Sequence, residues 1–237
     1  MTLARLISVL FNNVQSTQDI PNYLSNNVNY KNILLIQSFN QTKGVGRYNR
    51  KWHSPKGNIY FTMIFNYKKK YITSMNTFIC YLLHSYFKRK FNIKFDYKWP
   101  NDLYFKDQKV LGILTQNIIT GSLCTFKIGI GINVNNKITN KNFRSTSLSL
   151  ILGKKINLLD LSGSLQKYLN SNIFNEFNNL SISNYLNKNL IKNSTSYSHH
   201  FNNSITEQVK VLSLNKDFSL KIRQDNLIKN ISYGEIR

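Results

Sequence analysis

Residues 125–134, TFKIGIGINV, alternate apolar and other residues without a break. A period of two is the period of a β-strand. Phe126, Ile128, Ile130, Ile132 and Val134 make one face, apolar throughout, while Lys127, Gly129, Gly131 and Asn133 make the other. The first face has to be buried in a core. The second has two positions with no side chain, followed by an amide. Either a ligand lies against that face or a second packed layer crosses it closely. The rest of the chain has to supply what covers both faces.

The 237 residues suffice for one main domain with a small appendage. Residues 3–11 suit a strand or a short helix, Ile33–Ile36 a buried strand, and Ile59–Phe65, rich in β-branched and aromatic residues, a central strand. Met75, Phe78, Ile79, Leu82, Leu83, Tyr86 and Phe87 recur with helical spacing. Ser74 is placed to cap that helix and Lys88–Lys90 to complement its C-terminal dipole. His84 beside the stripe reads as structural. Residues 94–99 alternate again and stop at Pro100, with Asn101 and Asp102 at the strand end. Leu103–Phe105 and Lys109–Thr115 then read as a hairpin, so that Lys109 opens a strand beside a turn. A second helix is expected over Leu158–Phe177, with Leu161, Leu165, Tyr168, Leu169, Ile173 and Phe177 inward. Residues 181–205 read as a polar loop, including a solvated His199-His200 pair, and short alternating runs follow from Glu207. The expected architecture is α+β: a mixed β-sheet with flanking helices over residues 1–190, and a small C-terminal β domain over 200–237.

Between the first two central strands lies Gln41–Pro55, QTKGVGRYNRKWHSP. Gly44 and Gly46 let the backbone approach a ligand, Arg47 and Arg50 present forks of donors suited to phosphate or carboxylate, and Trp52 adds a flat apolar wall. Upstream, Ser16-Thr17-Gln18 gathers hydroxyls and an amide. Ser16 or Thr17 serves equally well as a cap for a helix starting near Asp19.

The net charge of +22, from 32 Lys and Arg against 10 Asp and Glu, is of a kind that nucleic acid attracts. The lysines are scattered, not gathered in a stripe, so a nucleic-acid-binding role is only the runner-up. Cys80 and Cys124 have neither metal nor redox spacing and read as buried small hydrophobes. Met1–Val14 lacks the pattern of a signal peptide, and no apolar run has the ~18–20 residues needed to span a bilayer. The expected location is the cytoplasm.

These motifs together resemble the biotin protein ligases. The family's loop, GRGRRGRxW, is similar to Gly44–Trp52. Its KWPND motif stands intact as Lys98–Asp102, and its GxGIN motif as Gly129–Asn133. Its lysine before a Gly-Ile-Leu run is matched by Lys109 with Gly112-Ile113-Leu114, its Ser-Thr-Asn by Ser16-Thr17-Gln18, and its closing GEI by Gly234-Glu235-Ile236. Val45 and Tyr48 stand where arginines are usual, Asn49 replaces a glycine, and Gln18 replaces the asparagine. The resemblance implies a class II synthetase-like catalytic domain with an SH3-like C-terminal module. Because the motifs begin at Ser16, it also implies the monofunctional form, without an N-terminal DNA-binding domain.

The activity implied is ATP-dependent ligation of biotin to a lysine of the biotin carboxyl carrier protein of acetyl-CoA carboxylase, through biotinyl-5′-AMP. Lys109, Arg47 and Arg50 would be the catalytic cations. Ser16, Thr17, Gln18 and Gln41 would hold the ureido head. Gly44, Val45, Gly46, Trp52, Lys98, Asn101, Gly112, Gly131 and Asn133 would line the biotin and nucleotide sites, and Asp102 would help to hold Mg²⁺. Members of the family often form homodimers. A lipoate ligase or octanoyltransferase is the nearest enzyme alternative. The octanoyl enzymes need a catalytic cysteine, and neither Cys80 nor Cys124 lies in a fitting motif. A decayed ligase is a further alternative, prompted by the altered loop.

Overall fold

The computed structural model describes residues 6–20, 32–121, 123–138, 144–175, 178–193, 196–199 and 205–236. The chain divides into two compact units, Met1–Ile72 with Gln108–Phe174, and Thr73–Asp107 with Asn175–Arg237.

The first unit is built on β1 (Leu6–Phe11), β2 (Ile33–Ser38), β3 (Ile59–Lys68), β6 (Gln108–Thr120) and β7 (Leu123–Ile132). They lie in the order β1-β2-β3-β7-β6, with β1 parallel to β2 and the other pairs antiparallel. The open choice for residues 3–11 resolves as strand over the described part, Leu6–Phe11. The alternation expected over residues 125–134 is realised as far as Ile132, where β7 ends; Val134, beyond it, is still buried. Phe126, Ile128, Ile130 and Ile132 are buried beside Ile59, Phe61, Met63 and Phe65 of β3. Each such side chain contributes about 1.5–3 kcal/mol on leaving water. Cys124, expected just before this strand, lies within it and is buried, as is Cys80.

Two shorter helices follow β7 in this unit, α2 (Leu148–Leu152) and α3 (Leu158–Asn172). Asn157 caps α3, accepting from the backbone N–H groups of Leu159 and Asp160. Leu161, Leu165 and Leu169 are buried. Ser162 and Gln166 donate to Oε1 of Gln37, each at 2.6 Å, which places α3 on the apolar face of the sheet. The helix is shorter than expected. Ile173 is buried at its end, and Phe177 lies outside the described residues.

The second unit contains α1 (Met75–Phe91), the hairpin of β4 (Asp96–Lys98) and β5 (Asp102–Phe105), α4 (Asn179–Asn187), and six strands β8–β13. The helix α1 buries the expected stripe, but Ser74 makes no side-chain capping bond. Its backbone is already helical, so its hydroxyl is badly placed for the cap. His84 bonds to the Tyr185 hydroxyl at 2.9 Å and the Phe95 carbonyl at 2.8 Å, and burial holds its pKa below the usual value. Both ring nitrogens therefore serve packing.

The polar loop expected over 181–205 is a correction. α4 occupies its start, with Ile182 and Leu186 buried one turn apart, and β8 (Ser196–His199) includes His199. His200 lies outside the described residues. The alternating C-terminal runs become two three-stranded sheets. One is β10 (Lys210–Leu214), β11 (Leu220–Gln224) and β12 (Leu227–Ile231). The other is β13 (Glu235–Ile236), β8 and β9 (Ile205–Gln208).

Candidate functional site

In the first unit, β7 pairs with β3 and β6 so that Gly131 faces both Tyr60 and Gly112, and Gly129 faces both Thr62 and Leu114. The side of the sheet opposite the core therefore carries no side chain at the adjacent Gly112 and Gly131, with Tyr60 beside them. Two side chains cover it. A Cβ on Gly129 would fall 2.2 Å from Nε2 of Gln18, and one on Gly131 2.5–2.9 Å from the indole of Trp52. A Cβ at either place would force the covering side chain to shift, so glycine is what lets both lie this close. Nζ of Lys109 lies 4.9 Å from the Trp52 ring centroid.

Ser16, Thr17 and Gln18 are all buried. Ser16 accepts from the backbone N–H of Gln18, so its hydroxyl stabilises a local turn. The Thr62 hydroxyl donates to the Thr17 hydroxyl at 2.9 Å, which donates to Oε1 of Gln41 at 3.1 Å. Nε2 of Gln41 donates to the Ser54 hydroxyl at 2.9 Å, which donates to the Trp52 carbonyl at 3.0 Å. One directed chain of polar groups thus runs from the central strand to the foot of the glycine–arginine loop. Thr62 and Ser54 were not among the expected site residues. The one available signal was a hydroxyl at a floor-facing position of an otherwise apolar strand.

The loop itself is a small hairpin. Trp52 donates to the Gly44 carbonyl and Gly46 to the Arg50 carbonyl, at 2.8 and 2.7 Å. A side chain on Gly44 would strike the Trp52 carbonyl at 2.4 Å. Tyr48 and Asn49 both have left-handed φ, 57° and 56°. That conformation explains why asparagine can replace glycine at 49, since asparagine tolerates it better than most residues. Arg47 and Arg50 both stack on the Tyr48 ring, at 4.9 and 5.4 Å, and Arg47 also donates to its hydroxyl. Val45 is exposed on the outer side.

Lys109 is set by its backbone. Its N–H donates to the Arg144 carbonyl and its carbonyl accepts from Thr146. Nδ2 of Asn133 also donates to that carbonyl, at 3.3 Å, and to the Thr146 carbonyl at 3.1 Å. The amino end of Asn133 therefore anchors the strand that carries Lys109. Oε1 of Gln18, Nε1 of Trp52 and Oδ1 of Asn133 are buried without a hydrogen-bond partner. Each such atom costs about 1–3 kcal/mol while unmatched. Two of them, on Gln18 and Trp52, lie against the stripped strand face at Gly129 and Gly131, where a ligand's polar groups would satisfy them.

The second unit holds Lys98, Asn101 and Asp102 together in the β4–β5 hairpin. Lys98 is paired in register with Asp102, and Asn101 donates its N–H to the Lys98 carbonyl. Lys98 lies 5.2 Å from the Tyr104 ring centroid, and the hairpin is tied down by Trp99 donating to the Phe218 carbonyl at 3.1 Å. Among the described residues, no group of three or more His, Cys, Asp or Glu could hold a metal. No described helix is long and apolar enough to cross a membrane.

The family model of the biotin/lipoate A/B protein ligases matches residues 10–133, more than half of the chain and nearly all of the first-unit site. The chain belongs to this family. Among curated relatives, the bifunctional ligase/repressor BirA of Bacillus spizizenii is 32% identical over 165 residues, covering 66% of this chain and 49% of that protein. The BirA of Escherichia coli is 36% identical over 98 residues, covering 40% of this chain and 30% of that protein. The chain thus spans about half the length, or less, of the curated relatives it matches. Among solved structures, the biotin protein ligase from Aquifex aeolicus in complex with biotin and ATP has 26% identity and a TM-score of 0.77, covering 98% of this chain and 97% of that one. The fold of the family, a mixed sheet with flanking helices and a small antiparallel module, is the fold found here.

Proposed function

We propose that the protein is a biotin protein ligase that activates biotin with ATP and transfers it to a lysine of the biotin carboxyl carrier protein, in the cytoplasm. The observation that carries this reading is the stripped floor at Gly129 and Gly131. Gln18 and Trp52 lie over it with unmatched polar atoms, Lys109 stands beside it, and a loop with two arginines follows. A ureido ring offers N–H donors and a C=O acceptor that suit such atoms. Residues 1–190 are assigned to the catalytic domain and 200–237 to the small β domain.

In the first step the biotin carboxylate attacks the α-phosphate of ATP, the bond to the β-phosphate oxygen breaks, and pyrophosphate leaves. In the second a carrier lysine, deprotonated to the solvent, attacks the acyl carbon and AMP leaves. The first step brings two anions together. Lys109, Arg47 and Arg50 are the cations proposed to screen them. Asp102 and Asn101 are assigned to the metal–nucleotide side. Asp102 would be the carboxylate ligand of a Mg²⁺ bound with the nucleotide, which would take its other ligands mainly from phosphates and water.

Transfer of labelled biotin to a carrier domain in the presence of ATP tests the reading. No labelling by purified protein that binds neither biotin nor ATP overturns it. Arg47→Gly is expected to label bystander lysines on serum albumin several-fold more than wild type, since the variant loses a cation that retains the reactive anhydride. Equal labelling by both proteins would remove Arg47 from that role.

A further inference from the structure

Lys127 stands on the floor face of β7, one alternation below Gly129. A lysine on such a face ordinarily extends to water. This one does not: Nζ donates to the backbone carbonyl of Gln18 at 3.1 Å, across 109 residues of chain. Burial lowers its pKa, while Asp19 nearby favours its charged form.

Gln18 is consequently held at three further points besides this one. Its backbone N–H donates to the Ser16 hydroxyl at 3.2 Å, Nε2 donates to the Leu114 carbonyl at 3.2 Å, and its carboxamide lies against Gly129. The residue is 6% exposed, and Oε1 has no partner. These contacts restrict the rotations that would blunt this acceptor, and Oε1 is held buried and unmatched beside the floor.

We infer that Lys127 is a positioning residue for substrate recognition: by gripping the Gln18 carbonyl it fixes Oε1 of Gln18 as a ready acceptor for an N–H of the bound ligand. The inference rests on the proposed biotin reading for the identity of that ligand, a cyclic urea whose ring N–H must find an acceptor once buried. Lys127 itself touches no substrate. Its contribution is the charge-assisted bond that holds the loop, and such bonds are stronger than neutral ones.

The test compares Lys127→Met, which keeps the apolar stem, with Lys127→Arg, which keeps the charge. In biotin-dependent pyrophosphate exchange, Lys127→Met should raise the KM for biotin about tenfold, with kcat and the KM for ATP within about twofold of wild type. Lys127→Arg should recover most of the loss. Lys127→Met should also add little in a Gln18→Ala background, because residues that act through one another are not additive. An unchanged KM for biotin, or equal losses for biotin and ATP, overturns the inference. If wild type itself shows no biotin-dependent exchange, the biotin reading fails instead. Lys127 is then judged on the ligand-free protein by NMR. The Gln18 side-chain NH₂ signals should exchange slowly in wild type and markedly faster in Lys127→Met, and equal exchange rates overturn the positioning role.

Discussion

Lys109→Gln should lower the rate of biotin-dependent pyrophosphate exchange by about 10²–10³, the usual cost of removing one fixed donor from a site of growing negative charge. The substitution keeps a polar side chain, one bond shorter, and removes the charge. It should leave the fold intact. The backbone bonds of Lys109 to Arg144 and Thr146 are untouched, and so is the anchor from Asn133. Biotin binding measured without ATP should change far less than the rate, because the repulsion that the cation offsets exists only when both anions are present. A loss below tenfold would assign the screening to the loop arginines instead.

The second large effect is expected from Gly131→Val. Valine suits a strand, so β7 should still form. Its Cβ would sit 2.5 Å from Nε1 and 2.7 Å from Cε2 of Trp52, with Tyr60 and Gly112 in register on either side. The indole would have to leave the floor, and the new methyl groups would occupy the space that a ligand chain needs. We expect biotin affinity to fall about tenfold to 100-fold, the equivalent of the roughly 1–3 kcal/mol that overpacking a filled site costs. Calorimetric titration with biotin is the measurement. Gly163→Ala provides the control. It lies in α3 with nothing within 4 Å of the added Cβ, and should stabilise the helix by about 0.4–1 kcal/mol without changing affinity. Near-native affinity in Gly131→Val would show that the floor is not where the ligand lies.

The floor strand and the loop were legible because each carries its signal in adjacent residues. Alternation gives the faces of β7, and paired glycines among arginines mark a backbone that approaches something. What fills the floor was not legible. The contacts of Gln18 with Gly129, Trp52 with Gly131 and Lys127 with Gln18 join residues about 80 to 110 positions apart, and no local pattern encodes such pairs. α4 was missed because only Ile182, Ser183 and Leu186 are buried in it, too little for a helical stripe to stand out among asparagines and serines. Ser74 was misread for the opposite reason: its residue type suits a cap, but its backbone does not. Asn133 was read only as a ligand contact, yet its amino group holds the strand of Lys109, a role that depends on a carbonyl 24 residues away.

Tyr48 was first noted as a missing arginine. A third guanidinium at that position would repel the other two, and the loop would order only when an anion arrived to neutralise all three. An aromatic ring between Arg47 and Arg50 reverses the situation, each stacking contact contributing about 0.5–1 kcal/mol at an exposed site. The two cations are gathered before any anion is present, and they travel with one ring as one body. Anion binding then has less ordering to drive, so its dependence on ionic strength should be shallower than for a loop of three mutually repelling arginines. The loss of one charge has become a gain in preorganisation.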